Sequence, residues 1–117
     1  MAPSRSTGGD SSPADGATTA QQVVDAMRVG GLDCTGLALS TSTRNQSLGI
    51  WDEGTCSIGA SELNVDVWIS NDARARALDG IRQLAGSQVV GGDRWSVATD
   101  TRALADRVQQ AAGGHRL

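Results

Sequence analysis

The chain has 117 residues, a formal net charge of −3, 38% apolar residues, three Trp, and no Phe or Tyr. That length holds one domain with a modest aliphatic core, and no run approaches the ~18 apolar residues of a membrane span. The ten basic residues are all Arg and are scattered along an acidic chain, which lacks the electrostatic footprint of a nucleic-acid binder.

In chain order, residues 1–17 are Ser, Gly, Pro, Ala, Thr and Asp around one Arg, with no large apolar side chain after Met1. Such a segment does not offset its ordering entropy, so residues 1–17 are expected to form a disordered tether. A first helix is predicted over 19–30, with Thr19 and Gln22 as a capping box, Val23 and Met27 on one face, and Gly30-Gly31 as its stop. A first strand follows at 34–41, then a polar connection over 42–54, then a second strand at 55–59 carrying Cys56 and Ile58 on one face. The segment 62–70 alternates most clearly. Leu63, Val65, Val67 and Ile69 point one way, and Asn64, Asp66 and Trp68 the other, as on a sheet with one covered and one wetter face.

A second helix starts at Asn71 as N-cap, with Ala73, Ala77, Ile81 and Leu84 as its inward stripe, Leu78 beside it, and Arg74, Arg76 and Arg82 on a solvated face. Residues 87–100 read as a fourth strand in which Gly91-Gly92 mark a bulge or a dividing turn, and Trp95 alternates with Val97 as a core residue. A third helix follows Asp100 as N-cap, with Leu104, Val108 and Ala111 on one face and Gly113-Gly114 at its end. The expected fold is α+β, in the order α-β-β-β-α-β-α. It has a four-stranded, mainly antiparallel sheet, strands two and three as a hairpin, and the helices on one face. Residues 18–114 form the domain and 115–117 a free end.

The two cysteines, Cys34 and Cys56, flank the first strand pair, where a disulfide is geometrically reasonable; the alternative is two buried free thiols. Their spacing is not Cys-x-x-Cys and the lone His115 is terminal, which argues against redox catalysis and a Cys/His metal site. A disulfide implies an oxidising compartment. Yet MAPSRSTGG has no charged start followed by an apolar run, so a signal is expected to have preceded this sequence. Residues 2–17 look like the polar tether of a mature lipoprotein; a cytoplasmic protein starting at Met1 is the rival reading.

Gly31 to Cys34 after the first helix, Cys56 some twenty residues on, and Gly92 to Trp95 near the last strand are similar to a recurring type of small actinobacterial secreted protein and lipoprotein of unassigned function. The resemblance spans roughly residues 20–114, and its motifs are short. It carries over no catalytic residue. Prophage-encoded lipoproteins of related appearance block infection by other phages, so superinfection exclusion is implied by analogy alone.

No catalytic constellation stands out. There is no His-based triad, no Gly-Lys-Ser/Thr ending to Gly91-Gly92-Asp93-Arg94, and Asp52 and Glu53 are adjacent, so that in an extended stretch they point apart. No enzyme activity, metal or cofactor is expected. Binding is the better candidate: Trp51, beside Asp52 and Glu53 in the polar loop, and Trp68 on the wetter strand face are aromatic side chains of the kind that anchor interfaces. A structural role, as a lid over the core or beneath a helix, is the alternative for each. The sequence thus suggests a monomeric, extracytoplasmic, surface-tethered domain that recognises another protein, with a virion or envelope assembly protein as the alternative and a hydrolase as a remote third.

Overall fold

The computed structural model describes residues 12–40, 49–85 and 88–117, and the side chains of residues 81, 82, 84 and 85 fall outside it. Residues 1–11 of the expected tether, residue 41 of the expected first strand and 42–48 of the expected connection also lie outside the described residues. The order is α1 (Ala20–Val29), β1 (Thr35–Ser40), β2 (Ile50–Ile58), β3 (Ser61–Trp68), α2 (Asn71–Ala85), β4 (Gln88–Gly92), β5 (Trp95–Thr99), α3 (Arg102–Ala112) and β6 (His115–Arg116). The fold is α+β and every strand pairing is antiparallel, in the sheet order β1-β2-β3-β5-β4-β6.

This sheet has six strands where four were expected, for two reasons. Gly91-Gly92 lead into a two-residue turn, Asp93-Arg94, which divides the fourth strand into β4 and β5, with Gly92 opposite Trp95. The C-terminal residues form an edge strand: Gly91 pairs with His115, Val90 with Arg116, and the Leu117 N–H donates to the Val89 carbonyl at 3.0 Å. A two-residue strand has no periodicity for a sequence to display, and residues 115–117, expected as a free end, are held at the sheet edge.

The helices occupy both faces of the sheet, not one. On the first face α1 and α3 bury Val23, Val24, Met27, Leu104, Ala105 and Val108 against Leu63, Val65, Val67, Val90, Trp95 and Val97. A Cβ at Gly30 would collide with the main chain of Ala111, so the end of α1 lies against the end of α3 only because that residue is glycine. On the second face α2 covers a smaller cluster of Ile50, Trp68, Ala73, Val89 and Ala98, with Ala77, Leu78 and Leu117 packed against it. Trp68 and Trp95, the largest of the fully buried side chains, anchor one cluster each.

The helix caps follow hydrogen-bonding need. Thr19 Oγ1 accepts from the Gln22 N–H at 3.1 Å, as expected, while Gln22 Oε1 reaches the N–H of Thr18 rather than that of Thr19. For α2 the cap is Ser70, whose Oγ accepts from Ala73 N, and for α3 it is Thr101, whose Oγ1 accepts from Leu104 N. Asn71 and Asp100 were each one residue away. Relieved of capping, Asn71 holds the β4–β5 turn. Its Oδ1 accepts from Arg94 N at 2.7 Å and its Nδ2 donates to Asp93 Oδ1 at 3.0 Å. Arg74, expected on a solvated face, is half-buried and donates to the Gly92 carbonyl of the same hairpin.

Residues 12–17, read from composition as tether, pack onto the domain. Ala14 and Ala17 are buried in the first core cluster. Asp15 Oδ1 accepts from Trp95 Nε1 at 2.8 Å and from Asp93 N at 2.9 Å, and its Oδ2 accepts from Ser12 N at 3.0 Å. Burial opposes its ionisation, but these three donors and the nearby His115 outweigh it and hold the carboxyl below its ordinary pKa. A carboxyl depressed in this way stabilises the fold above its unfolded pKa, and the stabilisation is lost as pH falls through the folded pKa. Asp15→Ala leaves the Trp95 indole N–H without its acceptor and should therefore destabilise by about 2 kcal/mol. Urea unfolding at neutral pH and again near pH 3 checks this, the difference between wild type and variant shrinking at the lower pH.

Candidate functional site

Trp51 owes its position to an irregularity in β2. Ile50 stands opposite Trp68 and Asp52 opposite Val67, so Trp51 is an extra residue with no partner on β3. A bulge of this kind re-aims side chains. Ile50 and Asp52, two apart, would share a face in a regular strand. Here Ile50 packs into the cluster under α2, and Asp52 points to the other face, where its Oδ2 accepts from Ala20 N at 2.7 Å. That contact places a carboxylate at the positive end of α1. Trp51 is turned outward and stays 67% exposed, the highest exposure of any aromatic side chain in the chain.

Beside it the alternation of β3 breaks. The strand ends at Trp68, and Ile69, whose N–H donates to the Gly49 carbonyl at 2.9 Å, is 55% exposed rather than inward-facing as its spacing suggested. Trp51 and Ile69 flank a groove of about 460 Å³ at this end of the sheet. Buried Val67 and Trp68 form its floor, and Ala17, Thr18 and Arg94 complete the lining. Trp68 is buried, with its indole Nε1 donating to Ser96 Oγ at 3.0 Å, so it is a support and not an exposed contact.

Arg94 is the one non-glycine residue with positive φ (64°) among the described residues. A left-handed conformation costs a residue with a Cβ about 1–2 kcal/mol, and glycine is the usual choice at such a turn. Two hydrogen bonds hold it there: its N–H donates to Asn71, and its carbonyl accepts from Trp68 N at 2.7 Å. Its guanidinium has no hydrogen-bond or ion-pair partner among the described residues.

The four expected binding residues therefore separate. Trp51 and Trp68 meet at the groove, one as wall and one as floor. Asp52 serves α1, and Glu53 lies on the α2 face of the sheet, hydrogen-bonded to Asp66 across the β2–β3 pairing. Ile69 and Arg94 were missed as site residues. The Asp-Arg dipeptide at a hairpin, where Asp-Gly is usual, was the available signal for Arg94; Ile69 gave none, because its alternation pointed inward.

No family model, curated protein or solved structure matches this chain. The described residues contain no group of three or more His, Cys, Asp or Glu placed to hold a metal ion, and no helix long and apolar enough to cross a membrane. Cys34 and Cys56 form a disulfide, with their Cα atoms 5.6 Å apart. Such a bridge fits an oxidising environment outside the cytoplasm.

A second and larger hollow, of about 640 Å³, lies on the other side of the β4–β5 turn, between Asp15, Asn71, Arg74, Asp93 and His115. Most of its polar groups are already committed. Asp15 holds three donors, Asn71 bridges Asp93 and Arg94, and Arg74 is spent on Gly92. Its geometry braces the hairpin that carries Arg94.

Proposed function

We propose that the protein is an extracytoplasmic binding domain that engages another protein through the Trp51 groove. The observation that carries this reading is an indole turned out of the sheet by a bulge and left two-thirds in solvent, beside exposed Ile69 and above a buried, hydrogen-bonded floor. Rigid aromatic anchors of this kind dominate binding energy at interfaces, and a preformed floor removes part of the ordering cost. The disulfide supports placing the encounter outside the cytoplasm.

The test is capture of cross-linked partners from the envelope fraction of the producing cell, with two surface variants compared. Trp51→Ala should leave the fold intact, since the side chain is exposed, and should weaken capture by about thirtyfold, the effect of losing a hot-spot residue. Val29→Ser changes another exposed apolar residue (89%) at the far end of α1 and should leave capture unchanged. Equal retention by both variants overturns the assignment of the site.

A further inference from the structure

We infer that the groove takes an internal segment of a partner protein in which a large apolar side chain sits next to an acidic one, the first against Trp51 and Ile69 and the second on Arg94. This rests on the reading of the groove as the binding site and names the chemistry of what fills it.

Apart from Thr18 the remaining lining is apolar, and Arg94 is the one charged side chain among the described residues that line the groove. Among the described residues its guanidinium has no carboxylate partner, although Asp15, Asp52 and Asp93 lie within two positions of residues that line the groove. Each of these is occupied elsewhere: Asp52 accepts from Ala20 N, Asp93 accepts from Asn71, and Asp15 accepts from Trp95 and two main-chain donors. A cation with no partner among the described residues, set in a mostly apolar groove, complements a carboxylate attached to an apolar body. The residue stands at a backbone position that favours glycine and is held there by its two main-chain hydrogen bonds, which fix where the side chain leaves the turn.

The carboxylate belongs to a side chain and not to a chain terminus. Capture of a terminal carboxylate uses free main-chain N–H groups. Five of the seven lining residues already donate theirs: Ala17 N to the Ala14 carbonyl, Thr18 N to Gln22, Trp68 N to the Arg94 carbonyl, Ile69 N to the Gly49 carbonyl, and Arg94 N to Asn71. A single long guanidinium remains, which suits an acidic side chain reached from a passing strand or turn. With one Arg in the groove and a net charge of −3 on the chain, this surface has no pull on a phosphate backbone.

The probes are three short peptides titrated into the isotope-labelled protein, with the Trp51 indole N–H followed by NMR: acetyl-Gly-Phe-Glu-Gly-amide, its Gln counterpart, and acetyl-Gly-Gly-Phe with a free terminus. The Glu peptide should bind about threefold or more tightly than the Gln peptide at low salt, and the preference should shrink at high salt. Arg94→Gln should erase the preference while leaving the Trp51 response, and Arg94→Gly, which relieves the left-handed backbone, should do the same in a protein that folds at least as well. Equal binding of the Glu and Gln peptides to wild type overturns the inference, as does tightest binding of the free-terminus peptide. Silence of the Trp51 indole toward all three, while envelope capture still depends on Trp51, overturns it too and leaves the groove reading standing; loss of both removes the two together.

Discussion

Replacing Cys34 and Cys56 together by Ala is expected to lower stability by about 3 kcal/mol, and the melting temperature by roughly 10–20 °C. The bridge spans 22 positions, and closing a loop of that size removes much of the unfolded chain's freedom in the chain-entropy account. Its folded-state setting adds to this. Both cysteines are buried, at 1% exposure, in the cluster beneath α1, so their loss also opens space in a core that holds no Phe or Tyr. β1 is an edge strand paired only with β2, and all its residues but half-buried Leu37 are exposed. Little besides its ladder and the adjacent bridge holds it. The effect should accordingly be uneven: amide exchange in β1 should accelerate far more than in β3 or β5, which sit inside the sheet. Thermal unfolding of the double variant checks the size, and hydrogen exchange checks the distribution. A melting temperature within about 2 °C of wild type, with β1 protected as before, overturns this account.

How much of this was readable beforehand depended on whether the residues were satisfied locally. α1 was legible because its cap, its stripe and its glycine stop all lie within a dozen residues, and β3 because Leu63, Val65 and Val67 alternate without interruption. The cysteine pairing followed from two residues on neighbouring strands. What failed was satisfied at long range. Asp52 and Glu53 made Ile50–Gly54 look like loop, yet one carboxylate caps a helix 32 residues away and the other faces Asp66 on the next strand. Trp68 sat among polar neighbours, and Asn64 and Asp66 suggested a wet face; Ser96, 28 residues on, accepts its indole proton beneath α2. With its proton accepted, Trp68 joins Ile50, Val89 and Ala98 in an apolar second face that α2 covers through Ala73, Ala77 and Leu78. The groove was half legible for the same reason: the exposed indole could be named from composition, but its direction is set by a bulge in the pairing with β3, which has no signature in β2 alone.

The buried carboxyl of Asp66 carries the other large effect, and it runs opposite to that of Asp15. Asp66 is 4% exposed on the α2 side of the sheet, opposite Glu53 on β2 and Ser96 on β5. One of its oxygens, Oδ1, has no hydrogen-bond partner among the described residues. Burial first, and then the hydrogen bond and the negative charge of Glu53, push its pKa up to about 8. The folded protein thus holds a proton that the unfolded chain releases near pH 4. Stability is then full below the unfolded pKa and falls as pH rises through the window up to about 8, by as much as about 1.4 kcal/mol per pH unit. Asn has the shape of the protonated acid, can donate to Glu53 as it does, and does not ionise. Asp66→Asn should therefore match wild type near pH 4 and exceed it by several kcal/mol near pH 9, on the order set by that slope. Urea midpoints at pH 4, 6, 8 and 9 measure the divergence, which should open through the neutral range and flatten above pH 8. Parallel profiles for the two proteins would mean that Asp66 is ionised in the folded state and that its charge is met by a cation. The direction bears on the groove, because with Asp66 protonated the β2–β3 pair that carries Trp51 is at its most stable, and alkaline conditions weaken it.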